Sequence, residues 1–313
     1  MFQTVNEKLL GYDLFIQQIK EKIQATMGEE YEVMIQKVVK NNSLELDSLI
    51  VLKKGRNIAP NIYLEAYYES YLQGTKMEEI VERLRVIYSH CSIPVISEDF
   101  SLNLEDLREY IIFRIVNYEK NKEVLQEIPH KKIMDLAVTY HCLVKNNDEV
   151  IGTLRLSHEH IKAWDLSAKD LDSLAYSNTV RLFPATIQDM DEIIRSYITD
   201  NADVSEEVID ELYGQDCQSE VKMFVLTNRN GVNGASCILY KNVLKDFAEK
   251  INSDLVIIPS SIHEIILLPF CGRIGTEELN DMVGEVNASQ VPIDEVLSEH
   301  VYYYLRDKNR IIM

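Results

Sequence analysis

The densest run of chemically competent side chains is Ser260-Ser261-Ile262-His263-Glu264, with hydroxyls, an imidazole and a carboxylate within five residues between two apolar stretches. An imidazole titrates at about pH 6.5, so His263 could act as a general base toward a hydroxyl or a water. Side chains alternate along a strand, which would put Ser261 and His263 on one face and turn Glu264 away toward a different partner. His263 and Glu264 could not then form a dyad with each other. The catalytic candidates are therefore His263 as base, with Ser261 beside it and Glu264 behind. The plainer reading is a turn made by Pro259 and the serines, in which His263 satisfies a backbone group. The HExxH metal motif fails here, because position 267 is Leu.

Other constellations are thinner. In Ser157-His158-Glu159-His160 two histidines two apart could hold a metal from one strand face. Ser157 also stands as a helix N-cap, with His160 in the capping-box position. His130 and Asp135 flank Lys131-Lys132, and His130 reads as a histidine at a helix end or one aimed at a pocket. Asn178-Thr179 and Asn287 read as helix-ending residues. Gly272-Arg273-Ile274-Gly275 lacks the lysine of a phosphate loop, no GxGxxG occurs, and Asn230-Gly231-Val232-Asn233-Gly234 reads as a hairpin turn. The five cysteines, Cys91, Cys142, Cys217, Cys237 and Cys271, are odd in number and widely spaced, with no CxxC pair. They read as reduced thiols of a cytoplasmic protein, and no metal or cofactor is expected.

The 313 residues carry 32 Lys+Arg against 51 Asp+Glu, a formal net charge of −19. That balance opposes direct nucleic-acid binding, which needs clustered cations. An acidic surface could instead imitate nucleic acid as a decoy for a basic partner. The N-terminus shows no basic and apolar leader, and the most apolar stretch, Leu255 to Phe270, is interrupted by Pro259, His263 and Glu264, so no membrane association is expected. There are 17 tyrosines and one tryptophan. Tyr63, Tyr67, Tyr68 and Tyr71 form a helical stripe, read as core against the first hairpin or as anchors for a protein partner.

Hydrophobic periodicity supplies the elements. A helix over 5–25 capped by Gly28 precedes a hairpin, 31–39 and 44–53, turned at Asn41-Asn42. Helices over 62–71 and 77–88 follow. Pro94 and Ser97-Glu98-Asp99 mark a linker, giving an N-terminal domain 1–96 and a C-terminal domain 97–313. Beyond it come a short helix at 104–108, a strand at 111–116, a helix at 119–127 and a hairpin of 133–144 with 150–156. A helix over 168–178 follows. A third hairpin pairs 223–227 with 235–240, ahead of a helix over 241–251, strands 255–258 and 262–268, and a helix over 276–283. The expected class is α+β, with mostly antiparallel sheets built from repeated hairpin-plus-helix units and helices packed on sheet faces. The third hairpin and the 255–268 strands should share one sheet, with 241–251 on one face.

Four segments carry a resemblance. They are Asn117 to His130 with Met134-Asp135-Leu136-Ala137, Pro259 to Pro269, Asn57 to Leu64, and Met282 to Asn287. Together they resemble an uncharacterised bacterial family known only as a domain of unknown function, over nearly the whole chain. The resemblance implies a stand-alone intracellular protein and brings no activity, cofactor or catalytic residue. The residues by themselves point to a non-enzymatic interaction or regulatory protein with a protein partner. The alternatives are a hydrolase-like enzyme with its site at 259–264, and the acidic decoy.

Overall fold

The computed structural model describes residues 9–55, 59–90, 104–146, 151–201, 222–272 and 275–313. The expected linker around Pro94 and 97–99, the turn at 147–148, Cys91, Cys217 and Arg273-Ile274 lie outside the described residues. The chain divides into two compact units, 1–102 with 144–152, and 103–143 with 153–313. The α+β class holds, with three sheets whose strand pairs run antiparallel.

In the first unit, helix α1 (Tyr12–Met27) buries Phe15, Ile19 and Ile23, one per turn, and ends at Gly28, whose φ of 81° is left-handed. It starts later than the periodicity predicts, because Gly11 takes extended backbone as its N-cap. Strands β1 (Tyr31–Val39) and β2 (Glu45–Lys53) pair from Tyr31 with Lys53 to Val39 with Glu45. Asn42 turns the chain between them at φ 57°, which asparagine tolerates. A two-residue strand β3 (Ile62–Tyr63) adds to β2, and helices α2 (Glu65–Leu72) and α3 (Met77–His90) complete the unit.

Of the tyrosine stripe, Tyr68 and Tyr71 pack on α1, whereas Tyr63 lies in β3 opposite Ser48 of the hairpin, outside the helix expected over 62–71. Tyr68 donates to the Leu10 carbonyl at 3.0 Å, Tyr71 accepts from the Leu10 N–H at 3.2 Å, and both rings lie 5.2 Å from Phe15. Gln24 joins the helix to β1, donating to the Tyr31 carbonyl and accepting from the Val33 N–H.

The second unit opens with α4 (Leu104–Leu107) and holds β4 (Ile111–Asn117), β5 (His130–Ile133), β6 (Leu136–Asn146) as far as Leu143 and β7 (Ile151–Arg155) from Thr153. Helix α5 (Lys122–Glu127) lies between β4 and β5 in sequence. Strand β6 pairs with all three others. The strand expected over 133–144 is two strands, because Met134 adopts φ 54° and reverses the chain so that Ile133 faces Leu136. Helix α6 (His158–Ala163) follows β7, and α7 (Ala168–Leu182) packs on β4 with Leu171 and Ala175.

Asn178 and Thr179 do not end that helix. They lie inside it and serve β4, which is an edge strand: Asn178 Nδ2 donates to the Arg108 and Ile111 carbonyls, and Thr179 Oγ1 accepts from the Phe113 N–H at 2.9 Å. Side chains that rank low as helix formers thus satisfy backbone groups an edge would leave open.

The larger sheet uses β8 (Ala185–Asp189), β9 (Phe224–Asn228), β10 (Leu255–Pro259), β11 (Ile265–Pro269), β12 (Tyr302–Leu305) and β13 (Arg310–Ile312), in the order β13-β12-β10-β11-β9-β8. Helices α8 (Met190–Asn201), α9 (Val243–Ile251) and α10 (Thr276–Ser289) complete the second unit. The third hairpin is corrected: its return limb is a 3-10 helix, Gly234–Leu239. Gly234, Ala235, Ser236, Cys237 and Ile238 are buried in succession, which a strand with one solvent face cannot do. The remaining strands share the sheet as expected, with α9 on one face through Leu244, Phe247 and Ala248. Helix α10 covers Val256 on the other face with Leu279 and Val283. Asn287, expected to end α10, lies within it and donates to the Ser298 carbonyl at 2.9 Å. No helix among the described residues is long and apolar enough to cross a membrane.

Cys142 and Cys237 are buried, and burial pushes their thiols up to about 11 and about 12, while Cys271 is exposed. The thiolate is the nucleophile, so buried sites of raised pKa react slowly. Site-resolved alkylation at pH 8 should label Cys271 and leave Cys142 and Cys237 intact until denaturant is added. Labelling of either buried thiol at the rate of Cys271 in native protein would contradict this packing.

Candidate functional site

β10 stops at Pro259 and β11 starts at Ile265, so residues 260–264 form the turn between them and not the opening of a strand. The alternation expected for Ser261, His263 and Glu264 therefore does not operate. The turn is closed by the Ser261 N–H donating to the Glu264 carbonyl at 3.2 Å. Inside it, Ser261 Oγ accepts from the His263 backbone N–H at 3.0 Å, and Ser260 Oγ donates to Glu264 Oε1 at 3.4 Å. These are local side-chain-to-backbone and turn contacts of the kind serine makes in such bends.

Three bonds tie the backbone of the turn to its neighbours. Thr227 Oγ1 on β9 donates to the His263 carbonyl at 2.8 Å. The Ala235 N–H donates to the Ile262 carbonyl at 3.2 Å, and the Ile262 N–H donates to the Glu295 carbonyl at 2.8 Å. Gly234 sits in this junction so tightly that a Cβ there would lie 2.1 Å from Thr227 Oγ1 and 2.5 Å from the His263 oxygen. Asn233 just before it is left-handed at φ 53°. Its N–H points at the His263 ring and is accepted by Nδ1 at 3.2 Å.

That last bond fixes the chemistry of the ring. With Nδ1 as acceptor, neutral His263 carries its proton on Nε2, which lies 3.6 Å from Glu295 Oε1. A hydrolase triad has the same imidazole–carboxylate pair, but the other nitrogen addresses a nucleophile. Here a backbone amide holds that place. The fold brings Glu295 to His263, places Ser261 on the backbone of His263, and pairs Glu264 with Ser260. Glu295 comes from a 3-10 turn (Ile293–Glu295) 32 positions later, and nothing in its local sequence announces the contact.

Ser157, His160, His130 and Asp135 each have hydrogen-bond partners. Ser157 and His160 form the capping box: Ser157 Oγ accepts from the His160 N–H, and His160 Nδ1 accepts from the Ser157 N–H at 2.9 Å. His158 and His160 thus stand in the first turn of α6, not on a strand face. His130 begins β5 with Nδ1 at 3.1 Å from the Ile128 carbonyl, whereas Asp135 accepts from Ser298 and Tyr302, both at 2.6 Å. Burial, and then the Asp135 carboxylate, drive the Tyr302 phenol well above its usual range. Among the described residues no three His, Cys, Asp or Glu side chains converge as a metal would require. A cavity of about 390 Å³ opens in the same unit over Ile238, Leu244 and Tyr304, with Lys241, Lys245 and Arg310 also lining it. Its volume falls within the range of ligand pockets, about 300–1,000 Å³.

No curated protein and no solved structure matches the chain. A family model does, over residues 12–306, which takes in the turn, its ties and both units. The chain belongs to this family of unknown function (DUF5688).

Proposed function

We propose that the chain acts by binding, as a non-enzymatic interaction or regulatory protein. The observation that carries this reading is the commitment of His263. The lone pair a general base would use is taken by the Asn233 amide, and Ser261 is spent on the turn's own backbone. The partner is a protein or a small ligand; a chain of net charge −19 repels the many phosphates of a nucleic-acid backbone. We place it in the reducing cytoplasm, where the buried thiols of Cys142 and Cys237 stay unpaired. A second reading, a hydrolase, is favoured by the His263–Glu295 pair, whose side chains are 31% and 37% exposed.

Substitution separates the two. His263→Ala leaves the Asn233 N–H without its acceptor and should lower stability by about 1–3 kcal/mol. His263→Asn supplies an amide oxygen near the position of Nδ1 and should recover most of that loss. Denaturation midpoints of the three proteins, read beside a broad hydrolase screen, are the measurement. Wild-type hydrolysis that disappears in a fully stable His263→Asn would overturn the binding reading.

Gly234→Ala forces a methyl group into the Thr227 hydroxyl and the His263 carbonyl. Overpacking of this kind costs about 1–3 kcal/mol, so the thermal midpoint should fall clearly. An unchanged midpoint would show that the junction is looser than its geometry.

A further inference from the structure

The sheet of β4, β5, β6 and β7 contains no Asp or Glu in any strand. One face is apolar and enters the core through Phe113, Ile115, Val138 and Tyr140. The registers put Arg114 directly opposite Thr139, with His141 two residues further along β6 on the same, opposite face. Arg155 precedes the core residue Leu156, so it points away from the core like His141. It acts on the imidazole together with Arg114. All four side chains belong to the second unit.

Among the described residues no carboxylate of the sheet faces these cations. Arg114 Nε is buried and finds no hydrogen-bond acceptor among the described residues. Desolvation lowers the Arg114 guanidinium to about 10. Burial first, and then Arg114 and Arg155, hold the His141 imidazole well below its usual value. Other basic side chains of the chain do find acids, Lys131 with Asp172 and Lys120 with Glu299, both at 2.8 Å. A buried guanidinium N–H without an acceptor is unfavourable, and an anion is the group that would satisfy it.

We propose that this face binds a phosphate group, free or as a monoester, between Arg114 and Arg155 and beside His141. The planar guanidinium fork matches the spacing of phosphate oxygens. Two guanidiniums balance a dianion, whereas a carboxylate would leave one charge uncompensated. Thr139 Oγ1 lies 3.0 Å from His141 Nε2. When the hydroxyl donates there, the imidazole proton sits on Nδ1 and is free for the anion. Arg155 is exposed and His141 half-buried, so the cluster reaches solvent through Arg155. The proposal is independent of the reading given to the 259–264 turn.

The test is titration of the full chain with inorganic phosphate, against chloride at matched ionic strength and against acetate. Calorimetry and the imidazole resonances of His141, assigned by a His141→Gln variant, give the readout. Saturable one-to-one binding that shifts the His141 signals is expected, weakened at least tenfold in Arg155→Gln and abolished in Arg114→Met. Arg155 is exposed, so Arg155→Gln decides the matter alone should Arg114→Met fail to fold. No saturable binding, equal binding by wild type and Arg155→Gln, or acetate binding as tightly as phosphate would each overturn the assignment.

Discussion

Buried backbone polar groups must be paired, and much of this chain is organised by how it meets that constraint. Sheets and helices settle most of the pairing. What they leave at edges, caps and junctions is taken up by side chains. Asn117 reaches the Leu297 carbonyl, Asn287 the Ser298 carbonyl, and Asn178 the carbonyls of Arg108 and Ile111. Tyr240 donates to the Phe183 carbonyl, and Tyr176 accepts from the Lys241 N–H. Each such bond contributes only about 1 kcal/mol net, but leaving its buried partner open costs more. The asymmetry explains why polar residues sit inside α7 and α10, where propensity alone disfavours them.

The same constraint shapes the hydrogen bonds of the 259–264 turn. A turn between two buried strands must present several amides and carbonyls away from water. Ser261, Thr227 and the His263 ring each satisfy one of them. Hydroxyls, amides and imidazoles are the groups of catalysis and equally the groups that close turns. Their types alone cannot separate the two uses.

What was legible in the sequence was local. The first hairpin reads correctly because Asn41-Asn42 and the apolar alternation of both limbs lie within 23 residues. The Ser157 cap reads correctly for the same reason. Residues 235–240 mislead because Asn228-Arg229-Asn230-Gly231 reads as a hairpin turn that they would return from as a strand, while burial runs continuously through Gly234 to Ile238. Met134 hides a reversal, since a methionine at positive φ carries no turn signature. Strands β8 and β12 depend on partners far along the chain, β9 and β10. Glu295 beside His263 is a product of tertiary packing alone.

The cationic sheet face poses the electrostatic question most sharply. A chain with nineteen more acids than bases repels anions at long range, yet at physiological salt that field is screened beyond about 8 Å. Within this distance local charges decide. In β4 the run Ile-Ile-Phe-Arg-Ile-Val already shows a guanidinium set among apolar residues, but only the register to β6 reveals that His141 shares its face and that no carboxylate of the sheet does. Low effective dielectric around Arg114 strengthens any charge that reaches it as much as it penalises the ion alone. The acidic remainder of the molecule then acts as a filter. It discourages long polyanions, whose charge extends past the screening length, and leaves a compact dianion subject mainly to the two arginines.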